Sequence, residues 1–182
     1  MSPPRDQYPN AGRRYPDAAL EAPASSRPSF GPSVEAELYR LAPSRVTVLL
    51  VGGDARERQA VAAALHERSP RACSPFITFA CEGLDPAQVE LGLFGGPAHE
   101  PPSGGAIAHT AAGTLYVAGV DELPLLVQPR FLRFLDQERR ARVVASSARD
   151  LPDLVRQGEY RLDLAERLSL VTLALPGRRH SV

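Results

Sequence analysis

This sequence of 182 residues predicts an α/β fold, a parallel five-stranded sheet with helices on both faces behind a disordered N-terminal arm. Three observations lead there. The stretch from Arg45 to Pro70, RVTVLLVGGDARERQAVAAALHERSP, reads as a buried strand, a glycine turn and a helix. Short apolar runs alternate with helical periods along the rest of the chain, and that alternation builds a parallel sheet covered on both sides. The length allows one domain of usual size, with enough chain for a real core, plus a tail.

Residues 1–35 are assigned to the tail. Seven of the 18 prolines lie there, among Ser, Ala and Arg with little aliphatic content. Such a segment buries too little surface to offset the entropy of ordering it. Residues 36–45 form an entry helix and linker, the helical spacing running from Val34 to Leu41 before Pro43. The α/β domain spans 46–176, and 177–182 are a C-terminal tail.

Within the domain, Val46 to Val51 is the first strand, Gly52–Gly53 the turn, and Arg56 to Arg68 a helix with Val61, Ala64 and Leu65 on one face. Phe76 to Ala80 is the second strand. Asp85–Pro86 starts a helix over Ala87 to Phe94, ended by Gly95–Gly96, and residues 96–105 read as a solvent loop. A short segment, Ala106 to Ala112, leads to the third strand, Thr114 to Val120. Pro124 to Gln137 is a helix with Leu126, Phe131, Leu132 and Leu135 inward, and Pro129 is expected to kink its first turn. Arg142 to Ser146 is the fourth strand. Helices over Asp153 to Arg156 and Arg161 to Ser169 precede the fifth, Leu170 to Leu175.

Composition excludes several function classes. The 21 acidic and 21 basic residues cancel, so nothing marks a general attraction to nucleic acid or membrane. No apolar run reaches membrane-spanning length, no targeting segment is evident, and a cytoplasmic protein is expected. Cys73 and Cys81 read as two buried thiols in a reducing compartment. The four histidines lack the spacing of a metal site.

A strand, glycine turn and helix form the setting in which backbone N–H groups and a helix N-terminus bind phosphate. The chemistry that goes with it is G-x-x-x-x-G-K-[ST]. Counting from Gly52, the second glycine position holds Glu57 and the lysine position holds Arg58. A carboxylate there repels phosphate and crowds the cradle. Every basic residue is arginine, so no shift of register supplies a lysine.

The order LLVGG, LHERSPR, PFITFAC, LGLFG, AAGTLYV, LPLLVQPRFLRFLD, RVVASSARDL and VRQGEYRLDLAERLSLVTLALP resembles the central AAA+ ATPase domain of bacterial sigma-54-dependent enhancer-binding transcriptional activators, the sigma-54 interaction domain. The resemblance runs from about Val46 to Pro176. It implies a P-loop NTPase core, here expected to be truncated before the family's lid and DNA-binding domains.

Carried over position by position, the resemblance implies a degenerate nucleotide site. The phosphate-binding glycine and lysine fall on Glu57 and Arg58, after Gly52 and Gly53. The Walker B acids, which hold Mg²⁺ and activate water, fall on Ala118 and Gly119. The asparagine that restrains the catalytic glutamate falls on Ala80, and the sensor asparagine on Ala148. The GAFTGA loop that touches the sigma factor would lie between Gly95 and Gly105, where the sequence reads PAHEPPS. Two arginines that reach a neighbouring subunit's ATP site keep their spacing as Arg161 and Arg167, although Asp163 or Glu166 offers either a local partner.

The expected function is therefore that of a non-catalytic pseudo-ATPase acting in transcription regulation by protein contact. No catalytic residue, metal or cofactor is expected, ATP and Mg²⁺ included. The expected partner is an active AAA+ sigma-54 activator or another copy of the chain, with no direct DNA binding and no membrane. The alternative is a nucleotide-binding ATPase with a rebuilt site using Arg58 and Asp121, in a register where Val120–Asp121–Glu122 replaces the lost acids.

Overall fold

The computed structural model describes residues 30–96, 104–137 and 140–176. Five strands, β1 (Val48–Gly52), β2 (Phe76–Ala80), β3 (Thr114–Ala118), β4 (Arg142–Ser147) and β5 (Thr172–Leu175), form one sheet in the order β2-β3-β4-β1-β5. Every pairing is parallel. The helices are α1 (Pro32–Leu41), α2 (Ala55–Glu67), α3 (Pro86–Phe94), α4 (Ala106–Thr110), α5 (Gln128–Gln137), α6 (Leu151–Arg156) and α7 (Leu162–Leu168).

The strands alternate their side chains between two cores, as the period of two requires. Leu49, Leu115, Val117, Val143 and Ala145 face the larger core, shared with α3 to α7. Val48, Leu50, Tyr116 and Val144 face the other, closed by Val34, Leu38 and Leu41 of α1 and by Val61, Ala64 and Leu65 of α2. The sheet is thus apolar on both faces, which is why its strands read as runs rather than as alternations of apolar and polar residues.

Several boundaries differ from expectation for local reasons. Helix α1 begins at Pro32, inside the stretch assigned to the tail; proline is well placed in a first turn, where its missing N–H has no helical partner. Residues 1–29 and 177–182, both assigned to tails, lie outside the described residues, as does the 97–103 part of the loop. Strand β3 stops at Ala118 because Gly119 turns left-handed, with φ of 68°, and Val120–Glu122 forms a 3-10 turn. Pro129 sits in the first turn of α5, which starts at Gln128, so it opens that helix rather than kinking it. Leu126 falls in the preceding turn and is 85% exposed, while Phe131 and Leu135 are buried as expected. Cys81 is buried but Cys73 is exposed, because it lies in the turn between α2 and β2; both thiols are free.

One feature at the start of β4 was not legible in the sequence. Arg142 is fully buried. Its guanidinium donates to the carbonyls of Leu41 and Ala42 at 2.9 Å and of Leu65 at 3.4 Å, tying the ends of α1 and α2 to the sheet. Carbonyls at helix C-termini favour a cation. Burial, followed by the nearby charge of Arg71, brings the Arg142 guanidinium down to about 10.

Candidate functional site

In an open parallel sheet, ligands bind beyond the carboxyl ends of the strands. Gly52–Gly53 at the end of β1, Ala118–Gly119 at the end of β3 and Ala148 just after β4 all lie at that edge. Gly52 and Gly53 are left-handed, with φ of 73° and 56°. A side chain on Gly52 would place Cβ 2.4 Å from the Leu175 carbonyl oxygen, so this glycine is required by the packing of β5 against the loop.

The N-terminus of α2 closes on itself. Asp54 is its cap: Oδ1 accepts the Glu57 N–H at 2.8 Å, and Glu57 Oε2 accepts the Asp54 N–H at 2.9 Å. This reciprocal capping box satisfies two backbone donors that a helix start otherwise presents to an anion. The Glu57 carboxylate also lies over the loop, 2.9 Å from where a Cβ of Gly53 would stand.

Arg58 folds back onto the same loop. Its Nη1 donates to the Gly52 carbonyl at 2.9 Å and to the Gly53 carbonyl at 2.8 Å. Its Nε is buried without an acceptor among the described residues. The residue at the lysine position therefore holds the loop's carbonyls, while the loop's first helical donors are held by carboxylates.

Ala118 and Gly119 bring no carboxylate to this edge. The next acid, Asp121, is only 7% exposed. Its Oδ1 and Oδ2 accept the backbone N–H groups of Ala148 and Arg149, each at 3.2 Å. Strand β3 ends three residues before Asp121. The Asp121 carboxylate joins the turn after β3 to the end of β4. Cys81 lies behind it, its thiol pushed up to about 12 by burial first and then by Glu122 and Asp121. A thiol so raised stays protonated and unreactive. Ala80 ends β2 in register with Ala118. Among the described residues, no group of three or more His, Cys, Asp or Glu side chains is placed to hold a metal ion.

The two candidate arginines have different settings. Arg161 caps α7, exposed, and its guanidinium takes both oxygens of Asp163 at 3.0 and 2.6 Å. That pairing raises Arg161 and lowers Asp163 from their ordinary values. Arg167, in the last turn of α7, donates to Asp136 at 3.1 Å and to the Leu135 carbonyl at 2.9 Å, so its acid partner is on α5 and not Glu166. The segment before α7 is set by Gln128, a buried side chain that sequence reasoning missed. Its Oε1 accepts the Arg161 N–H at 2.9 Å and its Nε2 donates to the Leu123 carbonyl at 2.8 Å. A glutamine before a proline carries no sequence signal for such a role. Asp121 was seen only as a metal candidate, because nothing in VDE tells an acid that ties two strand ends from one that faces a ligand.

Comparison with known proteins places this geometry in a family. A family model described as the Sigma-54 interaction domain matches residues 31–174. The Nif-specific regulatory protein of Rhodobacter capsulatus is 33% identical over 185 residues, which cover 89% of this chain and 31% of that protein. The transcriptional regulatory protein ZraR of Salmonella typhimurium is 30% identical over 192 residues, covering 90% of this chain and 43% of its own. The chain thus spans well under half the length of these relatives. Among solved structures, NtrX from Brucella abortus in complex with ADP superposes with a TM-score of 0.74 at 27% identity, over 84% of this chain and 38% of NtrX. The P-loop NTPase domain of the Sigma-54 transport activator from E. coli gives 0.59 at 18% identity, over 78% of this chain and 90% of that one, a likeness of fold alone. A five-stranded parallel sheet of P-loop NTPase type and a family match across both of its cores lead to one assignment: the chain belongs to the Sigma-54 interaction domain family.

Proposed function

We propose that this chain is a non-catalytic member of its family, a pseudo-ATPase that acts in transcription regulation through contact with other proteins. The observation that carries the reading is the closed phosphate loop. Asp54 and Glu57 cap the helix start where a phosphate would otherwise accept, and Arg58 is committed to the Gly52 and Gly53 carbonyls. Two carboxylates at that point repel a triphosphate, and the positions of the Walker B acids carry Ala118 and Gly119, which ligate no metal. These residues do not fit a magnesium nucleotide.

The relatives named as transcriptional regulators support a place in the same process, and the retained spacing of Arg161 and Arg167 supports an edge that meets another AAA+ subunit, either an active activator or a second copy. The decisive experiment titrates the full chain with fluorescent ATP and Mg²⁺. No saturable, Mg²⁺-dependent binding is expected. Saturable binding that needs Mg²⁺ and is lost in both Arg58→Ala and Asp121→Asn would overturn the proposal and establish the rebuilt site instead.

A further inference from the structure

At the opposite end of the sheet, the segments that lead into the strands converge. Arg45 precedes β1, Ser74 precedes β2, Arg140 precedes β4, and Arg71 lies in the turn after α2. With Pro43, Pro70 and Ala112 they line a cavity of about 420 Å³, and no acidic residue is among those lining it. A five-residue strand separates this end from the Gly52–Gly53 loop, a span of roughly 16 Å. The two places share no residue.

Three arginines from three separate segments line this one cavity. A fourth, Arg142, is buried at the start of β4. The charges feel one another: burial first and Arg45 second hold Arg71 below its ordinary value, while burial and then Arg71 do the same to Arg142. Arg45 and Arg140 have further contacts of their own. Arg71 differs, since its half-buried guanidinium meets no acceptor among the described residues, while its backbone N–H donates to the Ser69 hydroxyl and its carbonyl accepts the Ser74 N–H. Like charges gathered in a partly desolvated hollow repel one another, and an anion placed between them reverses the sign of that term.

We propose that this cavity is a binding site for a small phosphate-bearing organic molecule, with Arg71 as the principal phosphate contact and Pro43 and Pro70 as the wall for its organic part. The guanidinium fork matches a phosphate's paired oxygens, and several such forks suit a group carrying more than one negative charge. The hollow has the volume of a small-molecule site and mixes a few polar groups with an apolar wall. A chain with no net charge has no general attraction for a polyanion such as nucleic acid, which favours a single compact anion.

The test uses the full chain and calorimetric titration without magnesium, with pyrophosphate and ribose 5-phosphate as phosphate probes, citrate as a carboxylate probe and a single-stranded oligonucleotide. Saturable binding of the phosphate probes is expected, about tenfold or more weaker in Arg71→Gln, also weakened in Arg140→Gln, and unchanged in Arg58→Ala. The exposed Arg140 variant, with circular dichroism on every variant, keeps the result readable if Arg71→Gln does not fold. Absence of saturable binding overturns the proposal. So does binding that Arg58→Ala removes and both cavity variants spare, since that places the anion at the other end of the sheet. Citrate or the oligonucleotide binding more tightly than either phosphate probe overturns the assigned ligand class.

Discussion

The side chains of Asp54 and Glu57 exchange hydrogen bonds with each other's backbone, at 2.8 and 2.9 Å, across the start of α2. The pair occupies a helix N-terminus that follows a strand and a glycine turn, the kind of helix end at which backbone N–H groups can hold an anion. Removing the cap by Asp54→Ala is expected to lower stability by about 1 kcal/mol, within the usual range for an N-cap aspartate. Urea denaturation followed by circular dichroism checks it, and a variant as stable as the parent chain would show that the box contributes nothing.

Gly52 is the position where the loop tolerates least. Alanine there must adopt a left-handed conformation and place its Cβ 2.4 Å from the Leu175 carbonyl oxygen. Gly52→Ala is expected to cost roughly 2–4 kcal/mol, from the strained dihedral together with displacement of β5. The same denaturation measurement reads it, with Gly158→Ala as the comparison: that residue shares the positive φ, but no atom lies within 4 Å of the added Cβ.

Asp121 should prove structural. Asn at this position keeps one acceptor and turns the other group into a donor facing a backbone N–H. Asp121→Asn is therefore expected to lose about 1–3 kcal/mol of stability, equally with and without magnesium. A stability loss that appears only in the presence of magnesium would instead indicate a metal ligand.

His66 gives the stability curve an acid limb. Its imidazole is buried, with Nδ1 2.9 Å from the Thr114 hydroxyl. Burial first of all holds it below its ordinary value of 6.5, with Arg142 acting in the same direction against Ser74 and Glu67. Well above 6.5 neither state carries a proton here. Below that, the unfolded chain protonates before the folded one, so stability falls as the pH falls. Urea midpoints measured downward from neutrality should decline in this window, and His66→Gln should flatten the decline. An unchanged slope in the variant would assign the acid sensitivity to other groups.

Arg161 and Arg167 bear on the proposed partner contact. The double variant Arg161→Ala plus Arg167→Ala is expected to abolish any effect of this chain on the ATPase rate of an active sigma-54 activator with which it co-purifies. Each single variant should retain part of the effect, since the two sit on different partners, Asp163 and Asp136. An undiminished effect in the double variant would remove these arginines from the contact.

The fold was readable because its signals are local and repeated. Phe76–Ala80 appeared as a strand from its β-branched and aromatic content, and Asp85–Pro86 announced α3 because that pair supplies a cap and a first-turn proline. That Glu57 and Arg58 stand at the counted glycine and lysine positions was equally plain, since it is a matter of reading residues at a spacing. How those side chains lie in space was not readable. That Arg58 turns back to Gly52 and Gly53 depends on a side-chain rotamer. That Asp121 reaches Ala148, 27 residues away in sequence, depends on β3 and β4 being neighbours. Nothing in the strand Arg142 to Ser146 indicated that its first residue is buried, because a charged residue is buried only where several distant carbonyls converge, and no local pattern encodes that convergence.

The capping of α2 by its own side chains has a kinetic and thermodynamic sequel. A carboxylate tethered three residues from the donors it meets is present at an effective concentration set by its linkage, at least in the millimolar range for so short a connection. A dissolved anion arriving at that helix end competes with an occupant that never diffuses away. Selection for a phosphate grip would have to begin by evicting the chain's own acid.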